Sequence, residues 1–152
     1  MRNVFVVAIV IVVFGGLLYA GDMMGMGMMH HSKKASIDDK RISLNFPPPM
    51  KQEQLANMRS HLEAVKTIVD FISKGKFDEA SKVAHQKLGL APDMQKMCGM
   101  VKNKGFASMG LSFHKSADKL SNVLKTKDTK KSLQALNQTL SFCVQCHATY
   151  RQ

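Results

Sequence analysis

Two cysteines and a histidine stand close together near the end of this chain. They are Cys143, Cys146 and His147, in the sequence C-V-Q-C-H. Two cysteines three residues apart lie on roughly one face of a helical turn, so their sulfurs can form thioethers with the two vinyl groups of one haem. The adjacent histidine would then bind the iron as an axial ligand. The spacing therefore predicts a single, covalently attached haem c.

A C-x-x-C pair also occurs in redox dithiols and as half of a zinc site. A redox dithiol of the thioredoxin type needs a βαβ context, and a zinc site needs a second ligand pair at matching spacing; neither is visible here. The third cysteine, Cys98, lies in a methionine-rich run. It is interpreted as a small packing residue, with a ligand or redox thiol as the alternative.

The N-terminus predicts export from the cytoplasm. Arg2 precedes seventeen residues without charge, Val4 to Ala20, as in a secretory signal. A cleavage site after Ala20 is poor because Leu18 is bulky, and the stretch is slightly short for a hydrocarbon core of roughly 30 Å. Residues 1–20 are therefore either a cleaved signal peptide or an N-terminal hydrophobic helix that anchors the chain. Both place the remaining chain in the periplasm.

Residues 21–49 are predicted to form a linker. Met23 to His31 holds five methionines and two histidines, a soft ligand set that suits Cu(I), so copper handling is one hypothesis and a plain linker the other. The following residues are polar and charged, and they end in three prolines at positions 47–49. These prolines stiffen the chain before the first helix.

From residue 50 to 152 the apolar periodicity predicts four amphipathic helices. Their predicted bounds are Lys51–Ser73, Phe77–Leu88, about Asn103–Lys125, and Thr129 onward. The apolar residues of the first helix alternate in steps of three and four and form a seam, namely Leu55, Met58, Leu62, Val65, Val69 and Ile72. Four helices with short connections predict an all-α fold, an antiparallel four-helix bundle whose core can hold a cofactor.

A C-x-x-C-H motif on the last of four helices resembles the class II c-type cytochromes, the cytochrome c′ family. The resemblance covers roughly Met50 to Gln152 and is specific at the motif and at the Tyr150-Arg151 ending. It implies that Arg151, one helical turn past His147, lies near a haem propionate.

The same resemblance implies roles for residues of the first helix. On this alignment Leu55 is the distal residue over the iron, and Lys51 stands where many members have an arginine. Family members are often homodimers through their first helices, so a homodimer is expected here too.

The sixth coordination position has two candidate residues. If the apolar Leu55 covers the iron, the haem is five-coordinate and open to neutral gases such as nitric oxide or carbon monoxide. If Met58 reaches the iron, a Met/His pair results, which raises the reduction potential and suits electron transfer. The favoured prediction is Leu55 over a five-coordinate iron, with Met58 as a seam residue that packs beside the porphyrin. His61, His85 and His114 are more distant candidate ligands, and each is interpreted as a solvated or half-buried side chain in preference to a ligand.

The chain is strongly basic, with 22 basic and 11 acidic residues and a net charge of +11. Such a surface would attract a redox partner with an acidic surface, or an anionic membrane, although many of these charges are expected to be simply solvated. The predicted basic patch consists of Lys115, Lys119, Lys125, Lys127, Lys130 and Lys131.

These observations predict a monohaem cytochrome that transfers single electrons. Binding or detoxification of a diatomic gas is the alternative, and copper handling is the lesser alternative. Export disfavours nucleic acid as a partner. An enzyme is not predicted, because no acid–base pair or nucleophile constellation accompanies the motif.

Overall fold

The computed structural model of the protein describes residues 38–152. The predicted signal or anchor at residues 1–20 and the stretch from Met23 to His31 lie outside the described residues, so both stay predictions. Of the predicted linker, residues 38–49 are described, and they belong to the same compact unit as the helices.

Residues 38–152 are mostly helical, which confirms the predicted helical class. The elements are β1 (Ile42–Ser43), α1 (Pro48–Ser73), α2 (Phe77–Val83), α3 (Pro92–Met100), α4 (Lys104–Leu124), α5 (Thr129–Thr149) and β2 (Tyr150–Arg151). A π-helical turn, Ala84–Leu88, continues α2 directly. None of the helices within this part of the chain is both long enough and apolar enough to cross a membrane.

The segment after Pro92 is a short helix, α3, that the sequence analysis did not predict. Proline lacks an N–H and has a fixed φ, which suits the first turn of a helix, and Pro92 stands there in α3. Asp93 follows in the same turn, where a negative charge interacts favourably with the helix dipole. Pro92 therefore starts a helix as well as ending the preceding segment.

Local signals explain the ends of the longer helices. Pro48 begins α1 in the same manner, and Gly75, with a φ of +69°, terminates its C-terminal turn in a conformation that suits glycine. The side chains of Asn103 and Asp128 each accept a hydrogen bond from an N–H in the first turn of the following helix. These caps fix the starts of α4 and α5.

α4 is the central helix of the described fold. It packs against α2, the π-helical turn, α3 and α5, whereas α1 packs mainly against α2 and the π-helical turn. The largest fully buried apolar side chains of the core are Ile68, Leu88, Leu120 and Leu124. Residues of α1, α4 and the π-helical turn thus meet in one apolar core.

The buried face of α1 differs from the predicted seam. Ala64, Ile68 and Ile72 are buried, whereas Leu62 is 72% exposed and Val69 is 47% exposed. Of the predicted seam, Ile72 is buried, Val65 packs against the core and Met58 lines the cavity, whereas the other three residues, Leu55, Leu62 and Val69, are exposed. The inward face of α1 therefore keeps one side of the predicted seam and is turned from it by less than one residue, or under about 100°. The N-terminal half of α1 turns polar side chains inward, towards the cavity. A pattern of apolar residues does not include these side chains, so it does not identify this face.

A short parallel pairing joins the two ends of the described chain. β1 pairs with β2, and the N–H of Leu44 donates a hydrogen bond of 2.9 Å to the carbonyl oxygen of Arg151. Phe46, Phe106 and Tyr150 continue the contact, with ring centroids of neighbouring pairs 5.8 Å and 5.4 Å apart. This part of the predicted linker therefore belongs to the folded domain.

Candidate functional site

The C-x-x-C-H motif lies in the last two turns of α5. Cys143 and Cys146 are half-buried and unpaired, and His147 is exposed. The helix ends at Thr149, where the chain continues into β2. The second cysteine and the histidine thus belong to the end of the last helix, as the sequence indicates.

Both cysteines and His147 lie on the wall of an open cavity. The volume of the cavity is about 140 Å³. Cofactor and small-molecule sites commonly measure about 300–1,000 Å³, so a group as large as a haem would extend out through the open mouth of this cavity. The walls come from α1, α3, α4 and α5 and are rich in methionine, namely Met50, Met58, Met94, Met97, Met100 and Met109. Flexible, apolar side chains of this kind adapt their packing to a bound apolar group.

Burial raises the pKa of the cavity thiols. It acts on Cys143 and Cys146, and at Cys146 the neighbouring Cys143 adds to the effect. Burial also raises the pKa of Cys98, which reaches the cavity from α3. These cysteines therefore differ from reactive redox thiols, whose pKa values are lowered.

Cys98 packs closely against α4. A side-chain carbon added at Gly110 would lie 3.3 Å from the Sγ of Cys98, which is a tight contact. Gly110 thus leaves the space that the cysteine side chain fills between the two helices. This contact supports the interpretation of Cys98 as a packing residue.

Of the remaining predicted site residues, only Met58 lines the cavity. Leu55, expected over the iron, is 36% exposed and is not part of the cavity wall, because α1 is turned from its predicted seam. Lys51 and Arg151 do not line the cavity either. The guanidinium of Arg151 instead lies 3.8 Å from the carboxylate of Asp39. Met58, and not the expected Leu55, therefore lies at the cavity.

Two of the more distant candidate ligands, His61 and His114, also line the cavity. The ring centroid of His61 lies 5.7 Å from that of His114 and 5.1 Å from that of Phe113. His114 is 5% exposed, and its Nδ1–H donates a hydrogen bond of 2.7 Å to the carbonyl oxygen of Leu88. Because a carbonyl only accepts, Nδ1 carries the proton and Nε2 of the neutral ring keeps its lone pair.

Burial keeps both imidazoles uncharged near neutral pH. The pKa of His61 is lowered to about 4, mainly by burial and in smaller part by the nearby His114. Burial also lowers the pKa of His114, against the opposing effects of the hydrogen bond to Leu88 and the charge of Asp118. The cavity therefore contains two neutral nitrogen donors beside its methionine sulfurs.

The donor set fits a covalently held haem. Two free thiols and an imidazole lie on one helix, and the surrounding walls are mainly apolar. Within residues 38–152, no three histidine, cysteine, aspartate or glutamate side chains gather into a metal site. A haem iron does not need such a group, because the porphyrin supplies four nitrogens and the protein adds only one or two axial ligands.

In comparisons with known proteins, no family model, curated protein or solved structure matches this chain. The residues and the cavity are therefore the basis for assigning a function.

The predicted basic patch is partly paired with acidic residues. Lys127 lies 3.1 Å from Asp78, and Lys131 lies 3.3 Å from Asp128. Exposed pairs of this kind contribute little to stability, but they reduce the local positive charge. The patch lysines without an acidic partner among the described residues are Lys115, Lys119, Lys125 and Lys130.

Proposed function

We propose that the protein is a monohaem c-type cytochrome that transfers single electrons in the periplasm. The observation that carries this proposal is the position of Cys143, Cys146 and His147 together on the wall of an open, mainly apolar cavity. The bound haem would supply an iron that takes up and returns one electron. The protein supplies the tether, the axial ligand and the surroundings.

The residues of the chain have distinct tasks in this proposal. Cys143 and Cys146 hold the cofactor through thioethers, and His147 binds the iron. The methionine-rich walls keep water away, and such a shell controls the reduction potential of an enclosed metal. We propose further that α1, α2, α4 and α5 form an antiparallel four-helix bundle, a scaffold that commonly holds cofactors between facing helices.

Met58 is the proposed sixth ligand because it lies on the α1 wall of the same cavity. A thioether opposite His147 would raise the reduction potential, which suits an electron carrier. Binding of nitric oxide or carbon monoxide remains the alternative function, and it requires a five-coordinate ferrous iron. The two functions therefore predict different spin states for the ferrous protein.

Surface charge and the N-terminus bear on the partner and the compartment. The net charge of +11 favours a redox partner with an acidic surface over a basic one. The predicted signal or anchor would bring the domain to the periplasm, either free or attached to the membrane. Copper handling by Met23 to His31 remains the lesser alternative, and titration of the full chain with Cu(I) tests it.

Covalent attachment is tested by acidified acetone extraction of the purified protein. Haem should stay on the chain, because thioethers survive conditions that release a coordinated haem. The paired change Cys143→Ser and Cys146→Ser should give almost no protein with bound haem. Cys98→Ser is the matched control and should retain full haem content, since Cys98 is assigned to packing. Complete release of haem from the unchanged protein would contradict the proposal.

A second variant separates tethering from ligation. His147→Ala should keep the haem on the chain, because both thioethers remain, but it should remove the strong axial field from the iron. The optical spectrum of the reduced protein should change accordingly. An unchanged spectrum would show that another residue is the axial ligand.

A further inference from the structure

Arg41 contacts the backbone of the proposed haem ligand. Its Nη1 donates a hydrogen bond of 3.2 Å to the carbonyl oxygen of His147, across 106 positions of sequence. Arg41 comes directly before β1, in the segment that the sequence analysis assigns to a linker. The contact therefore ties the start of the folded domain to the end of α5.

A carboxylate holds the guanidinium in place. Asp39 accepts hydrogen bonds from Nε and Nη2 of Arg41, at 2.9 Å and 2.7 Å. Such a bidentate pair fixes the orientation of the guanidinium as well as its position. Asp39 also lies 3.8 Å from Arg151, so one carboxylate connects cations from both chain ends. We refer to Asp39, Arg41 and Arg151 as the terminal clasp.

The clasp acts on the part of α5 that most needs support. The last four carbonyl groups of a helix have no partner within the helix, so a terminal turn frays easily. The N–H of Tyr150 satisfies the carbonyl of Cys146, and Arg41 satisfies that of His147. A cation at this end also interacts favourably with the helix dipole. The second thiol and the proposed iron ligand both lie in this turn.

We propose, on the basis of the proposed function, that Arg41 is the positioning residue for haem ligation. It fixes the turn that carries Cys146 and His147, and it places a permanent positive charge beside the axial ligand. A nearby cation disfavours the oxidised iron, which carries one more positive charge than the reduced iron, and thus raises the reduction potential. Arg41 therefore affects both the geometry and the potential of the site.

The test compares Arg41→Ala with Lys40→Ala in the haem-loaded full chain. Lys40 is the exposed neighbour, and its loss removes the same charge without breaking a clasp contact. Two quantities are measured, the midpoint potential and the amide hydrogen exchange of the last turn of α5. Arg41→Ala should lower the potential and should speed exchange in this turn by about three- to tenfold, as expected for loss of one charged hydrogen bond at a partly exposed site. Lys40→Ala should change both quantities much less.

Arg41→Lys separates charge from geometry. Lysine keeps the positive charge but lacks the planar fork that pairs with Asp39. The potential should therefore return most of the way to that of the unchanged protein, while exchange stays faster. A purely structural role for Arg41 would leave the potential of all three variants equal.

The outcomes separate this proposal from the proposed function. If the unchanged protein carries no covalent haem, the proposed function fails, and the role of Arg41 in ligation fails with it. If haem is covalent and Arg41→Ala matches Lys40→Ala in potential and exchange, only the role of Arg41 is overturned. If Arg41→Ala does not accumulate, Asp39→Asn replaces it, because it frees the guanidinium without removing the cation. Faster exchange in that variant supports the clasp, and unchanged exchange overturns it.

Discussion

The Nδ1–H of His114 donates a hydrogen bond of 2.7 Å to the carbonyl oxygen of Leu88, and this bond joins α4 to the π-helical turn. Leu88 is the last residue of that turn, so its carbonyl lacks a helical partner. The imidazole satisfies it inside the core. Because the same ring lines the cavity, one side chain connects the packing of the core with the proposed haem site.

Replacement of His114 by alanine should destabilise the fold. The change leaves the carbonyl of Leu88 buried without a partner, which costs about 1–3 kcal/mol in free energy of unfolding. Urea unfolding followed by circular dichroism measures the loss. His85→Ala is the control, because the His85 side chain is 69% exposed and its pair with Asp118 should contribute less than about 1 kcal/mol. Equal losses in the two variants would contradict the assigned role of the His114–Leu88 bond.

Acid should destabilise the protein through His61 and His114. Burial lowers both pKa values, that of His61 to about 4, whereas the unfolded chain has the ordinary value of about 6.5. The unfolded state then binds more protons in this range, so the free energy of unfolding falls as the pH drops from about 6.5 towards 4. The slope is at most about 1.4 kcal/mol per pH unit for each histidine, and less for the partly exposed His61. Above about pH 6.5 this contribution is fully present.

The variant His61→Phe isolates part of this pH dependence. Phenylalanine has a similar size, lacks a titrating group and can keep the contact with Phe113. The midpoint of urea unfolding should therefore vary less between pH 4 and 7 than in the unchanged protein. An identical pH profile would show that His61 does not titrate differently in the folded and unfolded states.

The sequence predicts the helical class and the position of the C-x-x-C-H motif on the last helix, because both depend on local patterns. Apolar residues at helical spacing identify α1, α2, α4 and α5, and C-x-x-C-H needs only one helical turn. The orientation of α1 about its own axis, in contrast, depends on its contacts with other helices and not on a local pattern. Its inward face carries Gln54 and His61 at the cavity, whereas Leu62 and Val69 are exposed. Polar side chains that line a cavity do not contribute to an apolar periodicity, so the sequence pattern does not show that this face of α1 points inward.

The clasp and α3 escape prediction for two further reasons. Arg41 and His147 are 106 positions apart, and no pattern in a single sequence indicates such a contact. A proline can end one helical segment or occupy the first turn of the next, and the sequence alone does not show that Pro92 also begins α3. Met94 and Met97 are three residues apart, a spacing that is compatible with a helix and could have indicated α3. Both side chains line the cavity.

The exposed apolar side chains of α1 predict a homodimer. Leu55, Leu62 and Val69 recur every seven residues, which places them along one side of the helix, and they are 36%, 72% and 47% exposed. Burial of Leu62 against a second copy would be lost in Leu62→Glu, which should shift the protein to the monomer in analytical ultracentrifugation. Glu63→Gln, also on exposed α1 surface, is the control and should leave the association unchanged. A protein that is monomeric at all concentrations would contradict this prediction.

Met58 should determine the coordination state of the iron, and Leu55 should not. Met58 lines the cavity, whereas Leu55 lies on the exposed side of α1. With Met58 as the sixth ligand, the ferrous protein is low-spin, and the oxidised protein shows a sulfur-to-iron charge-transfer band. Met58→Ala should convert the iron to the high-spin state, abolish that band and allow carbon monoxide to bind faster.

Two controls make this last test decisive. Leu55→Ala should leave the spin state and the rate of carbon monoxide binding unchanged, because its side chain does not reach the cavity. His61→Ala removes the neutral imidazole on the same wall, and loss of the low-spin spectrum in this variant alone would make His61 the sixth ligand instead. A high-spin ferrous spectrum in the unchanged protein would exclude both ligands. The five-coordinate iron would then favour gas binding over dedicated electron transfer. A neutral diatomic molecule enters an apolar pocket with little desolvation cost, whereas an unpaired anion loses its hydration at a high cost in free energy.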